Sequence, residues 1–233
     1  MSKEEIIKAL DDACIKFIDF CTDIDTRTFY LQPTDKWSIA QNVEHLVISA
    51  NITRLAFSLP KFIVKIYAGK PNRASRTYDE LVNKYKLKLQ QGGKASGRFI
   101  PEKIRESSEK KTMLESFKKA MNKLKDSIEK KWEDSQLDQY LAPHPLLGKI
   151  TLRELCYFTI HHTYHHLAII RERCLNRDLE SGVHSQELKI CVIPFNYLVS
   201  FVIALIAGGP LDLPQIILIT YASVYDSGLR SPG

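Results

Sequence analysis

Thr151-Leu152-Arg153-Glu154-Leu155-Cys156-Tyr157-Phe158-Thr159-Ile160-His161-His162-Thr163-Tyr164-His165-His166-Leu167-Ala168 reads as the opening of a long helix that carries four of the chain's seven histidines. Thr151 and Glu154 form a T-x-x-E capping box, and Leu152, Leu155, Thr159 and Ile169 recur at helical spacing. The pattern predicts a helix from about Thr151 to about Cys174. Residues four apart stack on one helix face, so His161 pairs with His165 and His162 with His166. Either pair can offer two imidazoles to one metal ion, whereas zinc and its neighbours want at least three protein donors. The third donor has to come from another element.

Working toward the N-terminus, three further long helices are predicted. The first spans about Lys3 to Thr26, with Ile6, Leu10, Ala13, Cys14, Phe17 and Phe20 on one stripe. A loop at Leu31 to Lys36 leads to the second, opened by a Ser38-x-x-Gln41 capping box and running to about Ser58 with Val43, Leu46, Ile52 and Leu55. That helix also carries His45. Residues 60 to 105 form a long connection with a short helix near Tyr78 to Leu89 and a glycine-bearing loop at Gln91 to Gly97; connections this long are usually functional. The next helix spans about Ser107 to Asp134, with Leu114, Phe117, Met121, Leu124, Ile128 and Trp132 in phase. Ala142-Pro143-His144-Pro145 is expected to be a turn, with His144 a loop residue. The fold class is therefore all-α: an up-down four-helix bundle with a long connection between helices 2 and 3, the kind of frame that builds metal sites between facing helices.

Charge excludes little but narrows the partners. The net charge is +6, and the basic excess sits in helical stretches such as Lys110 to Lys131, where acidic residues alternate with lysines. That is a solvated face, and no aromatics interleave with arginines as a nucleic-acid surface would need. No nucleic acid is expected as a partner. Cys14, Cys21, Cys156, Cys174 and Cys191 make no C-x-x-C pair, so neither a disulfide framework nor a cysteine-built zinc site is suggested. The charged opening Met1-Ser2-Lys3-Glu4-Glu5 is unlike a secretory signal, so a reduced, cytoplasmic protein is expected.

Past residue 177 the composition changes abruptly. Ile190 to Leu211 carries no charge and reaches the length that crosses a bilayer. Three readings of 178–233 stand side by side. It is a membrane anchor with the bundle of residues 1–177 on the cytoplasmic side, a hydrophobic extension packed on the bundle or in a homodimer interface, or sequence foreign to the domain.

Two motifs carry a family resemblance. Lys36-Trp37-Ser38-Ile39-Ala40-Gln41-Asn42-Val43-Glu44-His45-Leu46 resembles the W-S…H-L opening of the second helix in the DinB-like superfamily, and His162-Thr163-Tyr164-His165-His166-Leu167 resembles its H-x-x-H-H-L helix. The loop at Gly92 to Pro101 is similar to loops found there. The resemblance covers roughly residues 1–175. It implies a divalent metal, zinc or nickel first with iron or manganese as alternatives, held by His45, His162 and His166. It thereby selects between the two i,i+4 pairs, leaving His161 and His165 as neighbours. Many relatives carry Gln where this chain has Ile169, so whatever that group does is not expected here.

Three neutral imidazoles leave a coordination position open, which marks catalytic rather than structural metal. Members similar to this chain are described as metal-dependent hydrolases or as S-transferases that use low-molecular-weight thiols. A small-molecule substrate, such as a thiol, is therefore one expectation. A non-catalytic metal-binding or scaffolding bundle, membrane-associated through 190–211, is the other. No catalytic acid or base stands out: Glu44 points about 100° away from His45, Glu154 is assigned to its cap, and Asp138 and Glu172 are read as solvent-facing.

Overall fold

The computed structural model describes residues 1–102, 104 and 109–181. Its first helix, α1 (Lys3–Asp23), opens with a complete capping box between Ser2 and Glu5 and buries Ile6, Leu10, Ala13, Cys14, Phe17 and Cys21. It ends before the expected Thr26 because Asp25 caps a separate short helix, α2 (Thr26–Tyr30), its side chain accepting from the Thr28 N–H. The Ser38–Gln41 box opens α3 (Ile39–Ser58) as expected. On α3 a buried polar stripe of Gln41, Asn42, His45, Ser49 and Thr53 runs beside the apolar Val43, Leu46, Ala50 and Phe57.

The long connection holds more regular structure than its sequence suggests. Pro60 leads into α4 (Lys61–Ala68), which stops at Gly69, whose φ of 84° suits a residue without Cβ. Thr77 and Glu80 cap α5 (Tyr78–Gln90), one residue longer than predicted. After it the chain passes through Phe99 to α6 (Lys110–Lys131), whose buried face carries Leu114, Phe117, Met121, Leu124 and Ile128. The predicted start at Ser107 lies outside the described residues.

The turn expected at Ala142–Pro145 is part of a two-stranded antiparallel hairpin. β1 (Leu141–His144) pairs with β2 (Gly148–Thr151) in the register Leu141↔Thr151 to His144↔Gly148. Four residues per strand and two prolines hide its alternation. It feeds directly into α7 (Leu152–Ser181), where Thr151 and Glu154 exchange the predicted bonds: Thr151 N–H donates to Glu154 Oε2 at 2.9 Å, and Glu154 N–H donates to Thr151 Oγ1 at 3.2 Å.

The described residues are thus mostly helical with one small sheet. α6 packs against α1 and α3, Phe17 meeting Phe117 edge-on with ring centroids 5.2 Å apart. Trp132 Nε1 donates to Phe57 O at 2.9 Å, tying the end of α6 to the end of α3. α7 touches α1 through Lys16 over Tyr164 and Arg171 over Phe20. It touches α3 through the histidines described below. Cys14, Cys21 and Cys156 are buried and free.

Buried polar groups pin the connections to this frame. Glu154, fully buried, is more than a cap: Arg73 donates to it through Nη1 at 2.7 Å and Nη2 at 2.8 Å, and the Arg76 N–H donates at 2.8 Å. The segment after α4 is thereby anchored to the start of α7. Asp138, read as solvent-facing, keeps 40 % of its side chain exposed and also accepts from Arg153 Nε at 2.8 Å and from Ser75 at 2.5 Å.

Among the described residues no single helix is long and apolar enough to cross a membrane. The readings placed on residues 190–211, and all of 182–233 with His184 and Cys191, lie outside the described residues.

Candidate metal centre

His45 sits in the second turn of α3, and His162 and His166 lie one turn apart on α7. All three are buried, and their ligand atoms lie within 4.8 Å of one another. His45 Nε2 and His166 Nε2 each approach His162 Nε2 to 3.1 Å. The structure therefore brings together the three residues that the resemblance selected, from two helices that start at capped ends.

The outer ring nitrogens settle which atoms carry protons. His45 Nδ1 lies 2.6 Å from Phe99 O, a carbonyl that can only accept, so Nδ1 is the protonated nitrogen and Nε2 keeps its lone pair. For His166 the same result comes through a relay. Asn42 Nδ2 donates to Ser38 O at 2.7 Å, which turns Asn42 Oδ1 toward His166 Nδ1 at 2.7 Å. Two lone pairs thus face one His162 nitrogen, which can donate a proton to only one of them.

A cation between the three resolves that conflict. Ligands 2.0–2.1 Å from a tetrahedral ion are about 3.3 Å apart, close to the 3.1 Å separations seen here. Metal-bound histidines commonly donate their other N–H to a carbonyl or amide oxygen, as His45 and His166 do. The three histidines could hold a metal ion.

Electrostatics agree with neutral ligands. Burial pushes the His162 and His166 pKa values well below the ordinary imidazole value, with the neighbouring histidines adding to it. Burial also lowers that of His45, partly opposed by its bond to Phe99. Trp37 covers the cluster from outside, its ring parallel to His166 at 6.4 Å and tilted over His45 at 4.9 Å. Phe158 stacks on His162 at 4.8 Å.

A cavity of about 400 Å³ opens onto His45 and His162. Its walls come from α3, α4, α5, the hairpin and α7, with Ile52, Val64, Leu89, Leu155 and Phe158 among them. His144 is one of its walls as well, and so is no free loop residue: it lies in β1, and its Nδ1 accepts from the N–H groups of Leu146 and Leu147, both at 3.2 Å. His161 and His165 lie outside the converging set, each with its ring against Tyr85. Glu44, whose pKa is raised by burial and by Glu102, is absent from the cavity wall, as is Tyr164.

The DinB superfamily model matches residues 5–170. The chain belongs to the DinB superfamily. No curated protein matches it. The matched span of this DinB superfamily member contains all three converging histidines and both motifs quoted above.

Sequence reasoning missed the groups that orient the ligands. Asn42 was legible in principle, as a polar residue three positions before His45 and so on the same helix face. Phe99 acts through a backbone carbonyl from a loop 54 residues away, and no side-chain pattern announces that. His144 was obscured because its hairpin was.

Proposed function

We propose that this protein is a metal-dependent enzyme in which His45, His162 and His166 hold a divalent ion, zinc or nickel, and that it transfers a low-molecular-weight thiol to an electrophilic small molecule. The observation that supports metal binding most directly is the convergence of three buried Nε2 atoms, two of them stripped of protons by outer hydrogen bonds. A bound divalent ion supplies Lewis acidity at neutral pH, lowering the pKa of a coordinated water or thiol.

The cavity's own groups favour thiol transfer over hydrolysis. Among the described residues no carboxylate lines it. Burial pushes Tyr85 up to about 12 and His144 down to about 4, so neither exchanges a proton readily near neutral pH. Hydrolysis of an amide or ester needs a group that takes a proton from water and returns one to the leaving group. Thiol transfer asks less: the thiol gives up its proton to solvent, sulfur bonds to the electrophilic carbon, and the leaving group departs with its electron pair. Phe99 and Asn42 keep the histidine rings aimed.

We also read the four long helices as the up-down four-helix bundle expected from the sequence, supported by the pairings of α1 with α6, α6 with α3, α3 with α7 and α7 with α1. A cytoplasmic location and a homodimer remain part of the proposal.

Metal analysis of the purified chain tests the site. One divalent ion per chain, lost in His162→Ala, supports it, and absence of metal after loading with zinc and with nickel would sink it. Incubation with cysteine or coenzyme A and an aryl halide then tests the reaction: thioether formation that needs the ion is expected, whereas metal-dependent ester hydrolysis without thioether would replace the transferase by a hydrolase.

A further inference from the structure

The wall of the cavity has a one-sided charge. Among the described residues it contains Lys94 and Arg98 and no aspartate or glutamate. Both cations lie on the loop between α5 and α6, both are exposed, and neither has an ion-pair partner among the described residues. They are not random surface charges, because the same loop carries Phe99, whose carbonyl holds His45 and whose ring lies beneath the Arg98 guanidinium at 5.8 Å.

A third polar group has the same sense. With two backbone N–H groups aimed at its Nδ1, the neutral His144 ring must carry its hydrogen on Nε2. That atom has no protein partner among the described residues, and on this cavity-lining residue it is a donor and not an acceptor. Apart from His45 and His162, which face the proposed ion, the rest of the wall is predominantly aliphatic and aromatic, with a few hydroxyls that can act either way. Apolar walls with a small number of placed polar groups are the usual makeup of a small-molecule site of this size.

We propose that the cavity selects an apolar molecule bearing an anionic, acceptor-only head group such as a carboxylate, the head recognised by Lys94 and Arg98 and the body lying on the Ile52, Val64, Leu89 and Phe158 side. This deepens the reading above by naming the chemical class of the small molecule brought to the three histidines. A cationic ligand would meet like charges with no carboxylate among the described wall residues to offset them, and a neutral alcohol would forgo the attraction of both cations.

The test is calorimetric titration of the metal-free full-length chain with decanoate, decanol and decylamine. Omitting metal keeps a carboxylate from binding an ion instead of the wall. It also separates this proposal from the metal reading, which can fail while the selectivity stands. Decanoate should bind at least tenfold more tightly than decylamine and more tightly than decanol. Lys94→Gln combined with Arg98→Gln should erase that preference while leaving decanol binding unchanged. Lys118→Gln combined with Lys123→Gln, which removes two exposed charges from α6, controls for the overall positive charge and should leave the preference intact. Equal binding of decanoate and decylamine, a preference that survives in the Lys94/Arg98 variant, or its loss in the α6 control would overturn the proposal.

Discussion

Replacing Asn42 with leucine removes one hydrogen bond from the proposed metal centre without touching a ligand. Asn42 is 2 % exposed, and leucine has a similar volume, so the packing around α3 is largely kept. Ser38 O loses the Asn42 side chain but still accepts the helical N–H of residue 42 at 3.1 Å. The damage therefore falls on His166. Its Nδ1–H loses the 2.7 Å acceptor, and nothing then prevents the proton from moving to Nε2, the atom that must bind the ion. Removing such an orienting partner typically weakens metal affinity 10- to 100-fold, which corresponds to about 1.4–2.7 kcal/mol. Competition for zinc against a chromophoric chelator measures this directly, with His166→Ala as the reference for losing the ligand altogether. Asn42→Leu should fall between wild type and His166→Ala. Zinc binding by Asn42→Leu within twofold of wild type, with His166→Ala impaired, would refute a role for Asn42 in fixing the His166 tautomer.

Four further outcomes concern other parts of the structure. Glu154→Ala should destabilise the protein by about 3 kcal/mol in urea unfolding, the low end for a broken buried ion pair because Arg73 and Arg76 can turn to solvent; an effect under 1 kcal/mol would mean the anchor contributes little. Burial raises the Glu154 pKa, but bonds from Arg73, Arg76 and Thr151 outweigh it and leave the folded value below 4.5, so its stabilisation is present above that pH and lost as pH falls through the folded pKa; Glu154→Ala should show a shallower acid limb. His144 and His161 are held down to about 4 by burial, from an unfolded value of 6.5. Stability of the metal-free chain should be complete above pH 6.5 and fall by about 1.4 kcal/mol per pH unit for each of these groups between 6.5 and 4; a flat urea midpoint over that range contradicts their burial as neutral imidazoles. His144→Phe keeps a ring against Phe158 but strands the Leu146 and Leu147 N–H groups, so about 2 kcal/mol of stability should go, with the loss concentrated in faster hydrogen exchange of the hairpin amides.

The sequence by itself determined the long helices and the ligand-bearing helix pair. Capping boxes at Ser38 and Thr151 and stripes such as Leu114 to Ile128 are local signals, spaced within one or two turns, so they survive being read one residue at a time. The same locality limits the reading of the site: i,i+4 spacing left His161–His165 and His162–His166 equivalent, and only the family motif chose between them. Tertiary structure decided which pair meets His45, since that depends on how α7 is rotated against α3. It also decided the protonation of the ligands, because the acceptors that fix it come from Phe99, 54 positions from His45, and from Asn42, 124 positions from His166. The double use of Glu154 and the placement of His144 follow the same rule. A capping box fixes Glu154 locally, but its burial brings in Arg73 and Arg76 from 81 and 78 positions away, because a buried carboxylate must be satisfied from every side that packs on it.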